Sequence, residues 1–168
     1  MGCGAGKQCF SYYHALEGDA DITGTDVSES LLAQAREENK KVNNAINFQQ
    51  LDFNQPFDLP SDSFDLVSAC FAIYYAQDIP FTLSEMHRVL KPGGRLMVSD
   101  LVLLRDLPAD LKESIEAYVG CIAGALPITQ YETGLGDAGF TDVTITRTIT
   151  VGDAVHSAII KATKPANG

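Results

Sequence analysis

Basic charge is what this sequence lacks most: 12 lysines and arginines stand against 22 aspartates and glutamates, for a formal net charge of -10. So acidic a chain repels a phosphate backbone, because nucleic-acid binders present clustered basic surface, and nucleic-acid substrates are disfavoured. Long apolar runs are lacking too. None approaches the roughly 20 residues that cross a bilayer, and no basic segment leads into an apolar run, which predicts an unexported, cytoplasmic protein with no membrane contact. Paired cysteines are also missing. Cys3, Cys9, Cys70 and Cys121 form no CxxC pair and have no histidine at zinc spacing, so neither a metal cage nor a disulfide framework is expected. No internal repeat divides the 168 residues, which are enough for one domain spanning residues 1–168.

What is present alternates between strand and helix patterns. After a glycine loop at residues 2–6, Lys7 to Leu16 reads as a short helix, and Ala20 to Thr25 as a strand ending in Asp26. Ser28 is placed to cap a helix whose apolar residues Leu31, Leu32, Ala35 and Val42 recur at helical intervals. Ala45 to Gln50 and Phe64 to Cys70 read as further strands, the second a continuous apolar run suited to burial. Pro80 opens another helix, which Lys91-Pro92-Gly93-Gly94 stops before a strand over Arg95 to Ser99. Such alternation predicts an α/β fold with a parallel sheet and helices on both faces. Asp110 to Ala123 and Ile128 to Ala138 are expected to be amphipathic helices, and Thr141 to Val151 with His156 to Thr163 an antiparallel pair of strands. Lys164 onward reads as a loose tail.

Three ligand-facing positions fall at the carboxyl ends of successive strands, where an open α/β sheet binds its ligand. Gly2, Gly4 and Gly6 allow positive φ and a close backbone approach, and the helix after them offers free N–H groups to a carboxylate. Asp26, 20 residues past Gly6, is placed to accept ribose hydroxyls. Asp52 is placed to face an adenine amino group, with Phe53 beside the ring. Asp58, Asp62 and Asp65 read as solvated loop charges, and His87, on the apolar side of its helix, as a packed or capping residue.

The segments Gly2-Cys3-Gly4-Ala5-Gly6, Gly24-Thr25-Asp26-Val27-Ser28, Asp58 to Val67 and Arg88 to Leu96 resemble the ordered motifs of class I S-adenosylmethionine (SAM) dependent methyltransferases. That resemblance implies a Rossmann-like sheet of order 3-2-1-4-5-7-6 with strand 7 antiparallel. It also implies SAM as cofactor, in-line methyl transfer to a small-molecule substrate, and a cofactor site of Gly2, Cys3, Gly4, Ala5, Gly6, Asp26, Val27, Asp52, Phe53 and Cys70. A narrower likeness concerns the acceptor. Ser99 to Leu104, Leu107-Pro108, Tyr118 to Ala125 and Ala138-Gly139-Phe140 are similar to the arsenite methyltransferase family, as is the position of Cys9.

Arsenic(III) is thiophilic, so thiolates are its expected ligands. On this resemblance Cys121 holds arsenic and Cys9 assists as a second thiol or redox partner, with its pKa lowered by the first turn of its helix and by Lys7. Each thiol also has a plain structural reading: Cys70 as core at a strand end, Cys3 as a small loop residue. Tyr74 and Tyr75 either line the acceptor pocket or cover a sheet edge, and Ser99-Asp100 is expected to face the same cleft. Relative to the family pattern, the first strand before the loop and a C-terminal domain are missing. Methylation of a small organic acceptor, using an acid or base near Tyr74 or Asp100, therefore stays open beside the arsenite reading, as does an incomplete, non-catalytic SAM-binding domain. An open sheet also predicts pairing with a second copy.

Overall fold

The computed structural model describes residues 1–105, 124–152 and 154–166, so the helix expected over Asp110 to Ala123 lies outside the described residues. The chain forms two compact units, Met1–Asp58 and Leu59–Gly168.

In the first unit, α1 (Lys7–Ala15), β1 (Ile22–Asp26), α2 (Glu29–Asn39) and β2 (Ile46–Gln50) follow one another as the patterning predicts. β1 and β2 pair in parallel, with Ile22 opposite Ile46 and Asp26 opposite Gln50. Ser28 caps α2 by accepting the Leu31 N–H on its hydroxyl, meeting one of the helix's orphan donors. Leu32 and Ala35 of α2 bury against Ile46, Phe48 and Cys9. Asn39 joins this dry interface without stranding a polar group: its side chain donates to the Ile46 carbonyl and accepts from the Ile46 N–H.

The second unit is built on β3 (Phe64–Cys70), β4 (Leu90–Leu103), β6 (Thr141–Thr150) and β7 (Val155–Thr163), in the order β3-β4-β7-β6. A two-residue β5 (Leu126–Pro127) also pairs with β4. β3 lies parallel to β4, and β7 runs antiparallel to both β4 and β6. Helix α3 (Ile79–Val89) turns Thr82, Leu83, Met86 and Val89 inward, and α4 (Ile128–Asp137) buries Tyr131 and Leu135. The family order cut at its first strand leaves 3-2 and 4-5-7-6, and those are the two orders found. Among the described residues no strand pairs with both sheets.

Three expectations are corrected. β4 does not end at Ser99 but continues to Leu103, with Asp100 inside it and only 1 % exposed. Lys164 is no loose tail: its ammonium group donates to the carbonyls of His87 and Leu90 at the C-terminus of α3 and pairs with Asp62 at 2.7 Å. That cation neutralises the negative end of the helix. Asp62 and Asp65 are solvent-exposed charges as expected, but Asp65 lies in β3 rather than in a loop and pairs with Lys91 at 2.8 Å. His87 is packed as expected, its ring edge-on to Phe140 at 4.9 Å, while the cap falls to Lys164.

Candidate cofactor and thiol site

The glycine loop is shaped by three left-handed residues, Gly2 at φ 63, Gly4 at φ 53 and Gly6 at φ 84. Its anchor is β1, for the Cys3 N–H donates to the Thr25 carbonyl at 2.9 Å and the Gly6 N–H closes the turn onto the Cys3 carbonyl. The glycines then serve different ends. A Cβ on Gly6 would stand 2.9 Å from both Phe10 and Phe48 and 3.1 Å from Ala35, so Gly6 is there for packing of helix on strand rather than for ligand. At Gly4 the same atom would meet only the Leu31 Cδ1, at 4.0 Å, which leaves that backbone open to an approaching group.

Asp26 binds this open glycine directly. Its Oδ2 accepts the Gly4 N–H at 2.7 Å and its Oδ1 accepts the Ser28 N–H at 2.9 Å. Each oxygen keeps further acceptor capacity, because an ionised carboxylate offers about four lone-pair sites. Asp52 stands at the end of the neighbouring strand, tied to it through the Leu51 N–H on the Asp26 carbonyl. There Asp52 Oδ1 accepts the backbone and side-chain N–H of Asn54, both at 2.9 Å, and Phe53 packs toward the buried Phe57 with ring centres 6.4 Å apart. Val27 is exposed beyond β1, its carbonyl accepting from Gln50.

Beneath the loop lie two thiols. Cys3 packs against the cluster that holds Cys9, Leu32, Ala35, Ile46 and Phe48. The thiol–thiol hydrogen bond with Cys3 brings the Cys9 pKa down to about 7 against the opposing pull of burial, and the same bond with burial drives the Cys3 thiol upward. Cys9 is thus the more acidic of the two thiols, while the Cys3 thiol donates to the Gly4 carbonyl at 3.6 Å. Lowering was expected from Lys7, but Lys7 is exposed and lines a groove of about 530 Å³ with Phe10, His14 and Lys41 instead. The partner that matters is a cysteine six residues earlier, across the loop.

The remaining candidates belong to the second unit or lie outside the described residues. Cys70 is half-buried at the last paired position of β3, opposite Ser99. Cys121 lies outside the described residues. Tyr74 and Tyr75 stack with ring centres 4.3 Å apart in a short turn after β3, Tyr75 being 69 % exposed. Asp100 is closed away: its Oδ2 accepts the Tyr131 hydroxyl at 3.0 Å, its Oδ1 accepts the Leu101 N–H, and burial raises its pKa. Its inferred place facing a cleft is therefore corrected.

Two residues of the quoted motif have packing roles that the sequence reading did not assign. Gly24 is required because a Cβ there would lie 2.6 Å from Phe48 and 2.9 Å from Cys9 Sγ. Thr25 is 2 % exposed, and its hydroxyl has no hydrogen-bond partner among the described residues. A glycine and a threonine inside a strand carry no signal of this from spacing alone.

A family profile described as a methyltransferase domain matches residues 1–151. Over 99 % of its length the chain is 29 % identical to an arsenite methyltransferase of Halobacterium salinarum, of which it covers 46 %. It spans about half the length of the curated relatives it matches. Among solved structures, an arsenic(III) S-adenosylmethionine methyltransferase from Chlamydomonas reinhardtii superposes with TM-score 0.81 at 24 % identity, over 98 % of this chain and 61 % of that one. Phosphoethanolamine N-methyltransferase 2 of Haemonchus contortus, in complex with S-adenosyl-L-methionine, superposes with TM-score 0.80 at 19 % identity, over 98 % and 47 %. The fold is thus the Rossmann-like one of these enzymes, closing on the expected antiparallel strand pair.

Proposed function

The chain belongs to the methyltransferase-domain family, and on that premise we propose that it transfers a methyl group from SAM to thiol-bound arsenic(III). The observation that carries the cofactor half is the 2.7 Å bond from the Gly4 N–H to Asp26, which sets an open backbone turn beside a carboxylate with acceptor capacity to spare. Those groups suit SAM: Gly2 to Gly6 for its methionine end, Asp26 and Val27 for the ribose, Asp52 and Phe53 for the adenine; Cys70 is the further cofactor residue we assign by family resemblance. When bound, SAM supplies an activated methyl on its sulfonium. The chain's own part is to bind and orient, and to present a thiolate. The family match runs through both units, and we read them as one domain; no described helix is long and apolar enough to cross a membrane, which suits the cytoplasmic location we assign.

The arsenite half rests on the string Tyr118 to Ala125, on the Halobacterium relative, and on Cys9, whose thiol ionises near neutrality. A thiolate exchanges readily onto a thiophilic centre, so Cys9 with Cys121 is the proposed arsenic-holding pair. The rival reading, a small organic acceptor, is favoured by the exposed Tyr75 ring beside the half-buried Tyr74 but loses Asp100 as its acid or base, because that carboxyl is buried. SAM consumption with arsenite and glutathione separates the readings. Turnover is expected in the wild type and a loss of at least roughly tenfold in Cys121→Ser, the scale of one missing ligand. Equal rates in the two would remove Cys121 from the site, and turnover with an organic acceptor alone would favour the rival.

A further inference from the structure

Lys7, Arg36, Lys40 and Lys41 are the only lysines and arginines of the first unit. The last three are matched, Arg36 by Glu29, Lys40 by Glu37 and Lys41 by Glu38. Lys7 has no carboxylate partner among the described residues. Its side chain lines the groove of about 530 Å³ instead, a volume within the roughly 300–1,000 Å³ of small-molecule sites. Lys7, Phe10, Ser11 and His14 stand at i, i+3, i+4 and i+7, so they share one face of α1 and form one wall. The opposite wall carries Lys41 and Val42, from the short turn Lys40–Val42 that follows α2. Phe10 is half-buried and held against Phe48 with ring centres 5.8 Å apart, which gives the groove a fixed aromatic surface. Neither Asp26 nor Asp52 lines it.

We propose that this groove is a second ligand site, apart from the cofactor loop, for a small aromatic phosphate ester. The phosphate sits between the Lys7 and Lys41 ammonium groups, and the ring lies on Phe10 and Val42. Lys41 gives one N–H to Glu38 at 2.7 Å and keeps two donors for a ligand. Two compact ammonium groups suit a phosphate dianion, whereas planar carboxylates are matched best by arginine, and no arginine lines the groove. Ser11 is not a phosphate donor, because its hydroxyl proton goes to the Lys7 carbonyl at 3.1 Å. With a net charge of -10 the chain has no general basic field to gather anions, so binding comes from these contacts alone.

Calorimetry of the full chain with phenyl phosphate tests this, with inorganic phosphate and phenol as the two halves of the probe. Saturable binding of phenyl phosphate is expected, at least roughly tenfold tighter than either half. Lys7→Gln, at an exposed position, is expected to weaken it at least roughly tenfold with an unchanged melting curve. Lys40→Gln removes the same charge outside the groove and is expected to leave binding unaltered. No saturable binding overturns the proposal, as does equal affinity in the wild type and Lys7→Gln. Equal weakening by Lys40→Gln also overturns it, by reducing the effect to overall charge. Either half binding as tightly as the whole probe would remove one of the two walls from the site and overturn it too. Excess S-adenosylhomocysteine is expected not to displace the probe; displacement would put the probe in the glycine loop and end the claim of a second site. The SAM reading is decided separately, by the binding heat of S-adenosylhomocysteine itself.

Discussion

Cys9 is a buried thiol that ionises near neutrality, and the cause is a neighbour rather than a distant field. Burial alone would push the thiol up from its ordinary 9.0, but the Cys3 hydrogen bond outweighs it and brings the value to about 7. The folded-state value is depressed, so the thiolate is present above about 7 and lost as pH falls through it. Cys3→Ala deletes the donor and leaves burial in command. The rate of Cys9 alkylation, followed by peptide mapping, should rise with a midpoint near 7 in the wild type and at higher pH in Cys3→Ala; an unmoved midpoint would assign the lowering elsewhere. At this scale the sequence was legible where a residue acts through its own position, as Asp26 does at a strand end. It was illegible where two residues must meet. Asp100 reads as a cleft acid until Tyr131, 31 residues on, supplies the hydroxyl that lets it stay buried.

Among the elements, glycines separate packing from conformation. Gly24 faces Phe48 and Cys9 across the interface of β1 with β2 and α1, and a methyl there would stand 2.6 Å from the Phe48 ring. Gly136 lies in α4 with nothing within 4 Å of its would-be methyl, and its φ is not positive. Gly24→Ala should therefore destabilise by about 1–3 kcal/mol through overpacking. Gly136→Ala should stabilise by about 0.5–1 kcal/mol through reduced backbone entropy. Chemical denaturation of both checks this, and a neutral Gly24→Ala would show that Phe48 has room to turn. Element types were readable from periodicity, as β3 shows with both bounds as expected. The end of β4 was not, because a charged residue at position 100 mimics the close of an apolar run. Lys164 was misread for a related reason: its role depends on the C-terminus of α3, and no local pattern announces that meeting.

For the whole molecule, strand order is the firmest link from sequence to fold. The orders β1-β2 and β3-β4-β7-β6 follow from the family topology with its first strand removed, and the solved relatives share that architecture. Local patterning could supply the strands but not the order, which came from the motifs. The acceptor is the least legible part, because it depends on how distant segments converge, which no local pattern announces. The central claim is that the glycine loop and Asp26 hold the nucleoside of SAM, and calorimetry with S-adenosylhomocysteine on the wild type and Asp26→Ala tests it most directly, with melting curves to verify folding. The account predicts saturable binding by the wild type and a loss of about 100-fold in Asp26→Ala, as two hydrogen bonds to a charged acceptor would give. Equal affinity in two folded proteins would contradict it.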